Sequence, residues 1–382
     1  MANNRINPQR LEKLLQRLVD IYSPSGKEVD VLDFLKGYLK RRNIPVIIQA
    51  VDEDRYNLIL APVDKDIQLA FIGHIDTVAA PDLDNYTYSR HGDRSKGLGV
   101  ADMKGGCAAI LEAFLTFREA GNAEAPIALC LVVGEEESGD GAEKLMKSYH
   151  FPWAIIGEPT DMVPCLQSYG YVEIQLSAWG TRQHASLARR RHNAIEVMLQ
   201  TILHLTQHLE SQYPQITYNI RDLFSSQSGF AVPERCEACL DLHVPPGMEV
   251  GEILLDMEEI TMSKKEKLTG IEVGFRSATI AAGYQLPEKG VVVDTIKNIF
   301  KTHNLAWSAD AFRSHSDANQ IWASGVKPII LGPGQLEQAH SHDESASFQQ
   351  ICLAAEMYLG LMDAMVHDAT DLPPKSIAPK SQ

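Results

Sequence analysis

The sequence predicts an α/β protein, a mixed sheet between helices, interrupted by a smaller α+β segment. Three observations predict it. Continuous apolar runs alternate with helical runs at both ends of the chain, as strands covered on both faces require. Between residues 168 and 282 the runs change to strict alternation, the mark of half-exposed strands. The chain has 382 residues, 45% of them apolar. That is enough for about two cores at roughly 150 residues per domain.

The elements follow in order. Leu11, Leu14, Leu15, Leu18 and Tyr22 recur at helical spacing and form one apolar face. Pro24 and Gly26 break that helix. Ser25 with Glu28 three residues on has the pattern of a capping box, opening a second helix on Val31, Leu32, Leu35 and Leu39. IQLAFIG (67–73), IALCLVV (127–133) and WAII (153–156) are apolar strand runs, with a helix over GGCAAILEAFLTF (105–117). YVEIQLSAW (171–179) opens the alternating segment. A helix of about twenty residues follows, burying Ala194, Ile195, Met198, Ile202, Leu205 and Leu209. CEACLDLHV, EILLDMEEI and IEVGF then repeat the strand–helix–strand order. This predicts a small open sheet with helices on one face, ending near residue 282. The remainder returns to α/β: a helix through VVVDTIKNIF, a strand at KPIIL (327–331), and a long helix from about Ser345 to Val366. The Pro-, Ser- and Lys-containing end, DATDLPPKSIAPKSQ, reads as a loose tail. The expected division is 1–167, 168–282 and 283–382, the first and last parts forming one domain.

Composition narrows the function. Net charge is −15, from 35 basic and 50 acidic residues. Such a surface repels phosphate backbones and disfavours nucleic-acid partners. No apolar run approaches the roughly 20 residues that span a bilayer. The opening MANNRINPQRLEKLL has no apolar core of a signal peptide. Six scattered cysteines fit a reducing cytoplasm. Cys236 and Cys239 form a lone CxxC within a strand, where they would point to opposite faces, so a structural role is expected for both.

The chemistry sits at strand ends, where α/β sheets gather ligands. FIGHIDTV ends a strand in His74, with Asp76 two residues on. A carboxylate beside a ligating His fixes its tautomer. GLGVADMKGG places Asp102 before a helix that opens on Gly105 and Gly106. LVVGEEESGDGA puts Glu135, Glu136 and Glu137 directly after a strand. AIIGEPTD does the same for Glu158, and AHSHDE carries His340, His342 and Glu344. Each fragment alone has an ordinary reading: a surface His, an Asp N-cap, a solvated acidic turn. Together they supply His and carboxylate donors for two metal ions sharing a water, with one further carboxylate as general base.

The order HxD, ADMKGG, GEE, GEPT, HxxDE resembles the metallopeptidase and aminoacylase family that includes acetylornithine deacetylase, succinyl-diaminopimelate desuccinylase and glutamate carboxypeptidase. The likeness runs from SPSGKE, near residue 23, to the last helix. It implies a zinc-peptidase-like catalytic domain, with mixed sheet between helices, and an inserted ferredoxin-like α+β lid that dimerises. It implies two divalent ions, zinc or alternatively cobalt. His74 and Glu158 would hold one ion, and Glu136 and His340 the other. Asp102 would bridge them. Glu135 resembles the general base that takes a proton from the bridging water. Asp76 is similar to the partner of the His ligand. His184, in WGTRQHAS of the lid, resembles the His that stabilises the oxyanion.

The match departs in three places. Three glutamates stand where the family has two. Counting from the strand gives Glu135 as base and Glu136 as ligand; counting from the following Ser-Gly gives Glu136 and Glu137. The strand fixes position better, so the first is preferred. His342 is read as a bystander, and His315, in RSHSDANQ, as either a substrate contact or a polar-loop residue. In the lid, Phe230 and His243 stand where the family often carries an Asn and an Arg, leaving Arg182 or Arg276 as candidates for a substrate carboxylate. The expected function is an N-acyl amino acid deacylase acting on a small molecule in the cytoplasm. The alternatives are a di- or tripeptidase or carboxypeptidase on the same metals, and an inactive metal-binding interaction module.

Overall fold

The computed structural model describes residues 5–63, 66–80, 82–188, 192–227, 229–265 and 270–370. The chain divides into two compact units: residues 1–166, 287–310 and 320–382 form the first, and 167–286 with 311–319 the second. The short segment 311–319 thus joins the second unit, a return that a division at residue 282 does not contain.

In the first unit a sheet runs in the order Ile47–Ala50, Tyr56–Leu60, Ile127–Val132, Leu69–His74, Trp153–Ile156, Lys327–Ile330. The last four strands are mutually parallel and the first two antiparallel, so the sheet is mixed. The Leu69–His74 and Ile127–Val132 strands are buried at every residue, which their unbroken apolar sequences require. Parallel alignment brings the carboxyl ends of three strands to one edge. His74 lies opposite Val132, and Ile72 opposite Ile156. The Lys104–Glu119 helix is buried along nearly its whole length and packs against Pro8–Asp20 and Phe348–Thr370. A separate three-stranded sheet joins Ser89–His91, Arg94–Lys96 and Ser345–Ser347.

The second unit runs strand, helix, strand, strand, helix, strand. Its four antiparallel strands lie in the order Thr217–Ser225, Arg235–Val244, Gly170–Trp179, Glu272–Ala281. This is the split βαβ, ferredoxin-like arrangement. Val172, Ile174, Leu176 and Ala178 alternate onto the face covered by the helices Ala194–Gln212 and Val250–Lys265. Cys236 joins that core, while Cys239 points to the other face.

Four local expectations change. Tyr22 lies beyond the first helix, which ends at Asp20, and is 43% exposed. The Ser25–Glu28 capping box does not form, because both side chains have tertiary partners. Ser25 Oγ donates to Asp76, and the buried Glu28 faces Arg55. Ile195 is only partly buried. The last helix starts at Phe348 and ends at Thr370, Ser345–Ser347 being a strand. Of the expected tail, residues 371–382 lie outside the described residues. No helix among the described residues is long and apolar enough to cross a membrane.

Candidate metal centre

The carboxyl edge of the first unit's sheet gathers the acids and histidines from five separate segments. His74 ends its strand, 1% exposed. Its Nε2 lies 3.2 Å from Asp102 Oδ1 and 3.8 Å from both Glu135 Oε2 and Glu158 Oε2. On the opposite side of the cluster, His340 Nε2 lies 2.9 Å from Glu136 Oε2 and 3.4 Å from Asp102 Oδ2. Asp102 therefore faces both imidazoles, one with each oxygen. His74, Asp102 and Glu136 each offer a ligand atom within 4.8 Å of one another. Glu137 and His342 are exposed.

The electrostatics are those of buried carboxylates crowded around two imidazoles. Asp102 and Glu158 are buried, and Glu136 nearly so, within a few ångströms of one another. Burial pushes the Glu158 carboxyl up to about 7; His74 opposes this and Asp102 adds to it. Burial also raises Glu136, again with Asp102. Burial works against a charged His74, yet Glu158, Asp102 and Asp76 outweigh it and raise its imidazole well above the usual range. Hydrogen bonds to Asp102 and Glu136 raise the half-exposed His340. Glu136 Oε1 and Glu158 Oε1 are buried without a hydrogen-bond partner. An orphaned buried carboxylate oxygen is costly, and two of them beside two imidazoles fit divalent cations, which take His and carboxylate donors.

Backbone and outer contacts hold these groups. Gly106 sits in the first turn of its helix, where a Cβ would stand 2.1 Å from the Gly157 carbonyl oxygen. Only glycine lets that helix rest on the peptide leading into Glu158. Gly134, at φ +77°, turns the chain from the strand into Glu135. Asp76 is wholly buried. Its oxygens accept from Ser25 Oγ (2.6 Å), Glu135 N (3.3 Å) and Glu136 N (3.1 Å). Its backbone and side-chain oxygens lie 3.2 and 3.5 Å from His74 Nδ1. Asp102 does not cap the following helix; the capping position is Met103. The sequence reading missed the roles of Ser25, whose local cap pattern concealed it, and of Glu344, which was named without one.

His184 belongs to the second unit and is exposed. Its Nδ1 accepts from Ser186 N at 3.3 Å and lies 2.8 Å from Ser186 Oγ. In the same unit His315 stacks on Tyr171 at 4.1 Å, with His243 5.6 Å from that ring. Burial, and secondarily His243, lowers His315 to about 4. Phe230 is 89% exposed. Arg276 donates to Gln175 and Arg182 to the Gln227 carbonyl.

Solved structures share this fold across nearly the whole chain. A tripeptidase from Staphylococcus aureus is similar at TM-score 0.78 and 19% identity, covering 95% of this chain and 99% of its own. The dipeptidase Dug1p from Saccharomyces cerevisiae gives 0.76 and 13%, covering 94% and 98%. A dinuclear metal-binding peptidase from Bacillus subtilis gives 0.66 and 12%, covering 94% and 98%. A sequence model of the peptidase family M20/M25/M40 matches residues 70–364, a span that contains every His, Asp and Glu of the cluster. The protein is a metallohydrolase acting on peptide or amide bonds, and the chain belongs to peptidase family M20/M25/M40.

Proposed function

We propose that the protein is an N-acyl amino acid deacylase using two divalent ions, zinc or cobalt. The observation that carries the two-ion reading is the position of Asp102, with one oxygen toward His74 and the other toward His340. In this reading His74 and Glu158 would hold one ion, Glu136 and His340 the other, and Asp102 would serve both. When bound, the ions polarise the scissile carbonyl and acidify water.

The chain's own groups supply the rest. Asp76 accepts from His74 Nδ1, which leaves Nε2 as the donor atom facing the centre. Glu135, whose Oε2 stands 3.8 Å from His74 Nε2, accepts a proton from the attacking water. The water oxygen bonds to the carbonyl carbon, and Glu135 returns the proton to the amine as the C–N bond breaks. The products are a carboxylic acid and a free amine. Because Ser186 N donates to His184 Nδ1, the neutral ring carries its proton on Nε2. That supports His184 as an oxyanion donor. Exposure of Glu137 supports Glu135 and Glu136 as the base and ligand pair.

A second reading, a di- or tripeptidase, draws on the structural likeness to the tripeptidase and dipeptidase. A panel of N-acyl amino acids and short peptides, assayed on one metal-loaded preparation, separates the two. Deacylation is expected, falling about 10²–10⁴-fold in Glu135→Gln. Cleavage of peptides alone would establish the second reading. Full activity in Glu135→Gln would remove Glu135 as base.

A further inference from the structure

Glu344 lies 242 residues from Asp102 in sequence and in direct contact with it. The residue is 3% exposed, and its carboxylate accepts three backbone N–H groups, all from the loop that delivers Asp102. Oε2 accepts from Gly99 N at 2.9 Å; Oε1 accepts from Ala101 N at 2.8 Å and Asp102 N at 3.1 Å. The Glu344 carbonyl also accepts from Gly97 N at 3.3 Å. Beside it, Ser345 pairs with Lys96 in the three-stranded sheet, and Lys96 meets Asp343 at 3.2 Å. Four residues before Glu344, the backbone turns through a left-handed residue, His340 (φ +58°), whose ring faces Asp102 and Glu136.

We propose that Glu344 is a positioning residue: its carboxylate clamps the Gly99–Asp102 backbone to the His340 segment and so sets the reach of Asp102 between His74 and His340. The inference rests on the assignment of Asp102 and His340 as ligands. Its physical basis is that all three donors converge on acceptor oxygens inside the protein. Charge-assisted bonds of this kind are about twice as strong as neutral ones. A clamp of this type is built before any ion arrives. Its worth should therefore show in metal affinity rather than in folding alone.

Glu344→Gln keeps the shape but turns one oxygen into an NH2 donor, which must then face a backbone N–H. Glu344→Asp keeps the charge and withdraws it by one methylene. Both should weaken zinc binding, measured by chelator competition, by about 10–100-fold, the usual loss for a partner outside the ligand set. The melting point of the metal-free protein should fall only by the few degrees, roughly, that the loss of buried hydrogen bonds costs, with the chain still folded. Lys96→Ala, which cuts only the exposed pair between the same segments, should leave affinity within about twofold. Asp102→Asn serves as the reference. If it abolishes tight binding while both Glu344 variants bind as the unmodified chain does, the clamp is overturned and the ligand reading stands. If Asp102→Asn binds normally, the ligand reading itself fails. Should neither Glu344 variant fold, amide exchange in the unmodified metal-free protein decides. Protection at Gly99, Ala101 and Asp102 as slow as in the following helix upholds the clamp, and fast exchange overturns it.

Discussion

Replacing Gly106 by alanine sets two physical effects against each other. Helix propensity alone favours the change by about 1 kcal/mol, since glycine is a poor residue inside a helix. Packing opposes it. The new Cβ would lie 2.1 Å from the Gly157 carbonyl oxygen, 3.0 Å from its carbon and 3.2 Å from Met103 Cε. A carbon and an oxygen settle at about 3.3–3.6 Å even when they attract, so the helix and the Gly157 peptide must part by about 1.2 Å or more. Both partners are backbone, and Gly157 N is itself bonded to Ile72 O at 3.3 Å. Overpacking of this kind costs about 1–3 kcal/mol. The displaced peptide also leads directly into Glu158, and a misplacement near 1 Å can cost about 10²-fold in turnover. Gly106→Ala should therefore melt lower than the parent protein, bind zinc more weakly and hydrolyse its substrate about 10²-fold more slowly. Thermal melting and chelator competition on one preparation measure the first two. A variant that melts higher, as propensity alone dictates, and keeps parental metal affinity would refute the packing argument.

Other outcomes follow from the same structure. Metal affinity should fall with pH: His74 and His340 are held protonated by the carboxylates facing them, and Glu158 is raised to about 7. Binding must displace those protons, so affinity declines about tenfold per pH unit for each, more steeply below pH 7, where Glu158 adds its own. Competition titrations from pH 5.5 to 8 check this, and a flat profile would count against the assignments. Ser25→Ala removes the 2.6 Å donor to Asp76 and should lower zinc affinity up to about tenfold, with the fold intact by circular dichroism. Arg10→Met should destabilise by about 3–5 kcal/mol in denaturant unfolding, because the fully buried Glu112 would lose the guanidinium that contacts both its oxygens. Adding Glu112→Gln should recover part of that loss, and no recovery would argue against a stranded charge as the cause.

What the sequence revealed follows physical rules of limited range. The strands ending at His74, Val132 and Ile156 were legible because parallel strands buried on both faces must be continuously apolar, and a polar residue ending such a run stands out. The alternating strand Gly170–Trp179 was legible for the complementary reason. Ser25 and Glu28 were misread because a capping box is a local pattern, while Asp76 and Arg55 compete for the same side chains from distant segments. Segment 311–319 carries no periodicity that ties it to the second unit. There Asn319 Nδ2 donates to the Tyr169 and Ala282 carbonyls, contacts that spacing cannot announce. The role of Glu344 was hidden likewise, since its three partners are backbone N–H groups that exist at every position and leave no mark on composition.

In the proposed reading, hydrolysis depends on two ions held at Asp102 and its neighbours. The direct test is to strip the protein with a chelator and titrate it with zinc or cobalt, following bound metal and amide hydrolysis together. The stripped protein should show no hydrolysis, added metal should restore it with saturation at two ions per chain, and Asp102→Asn should lose that stoichiometry. Undiminished hydrolysis in the stripped protein, or an unchanged two-ion titration in Asp102→Asn, would contradict it.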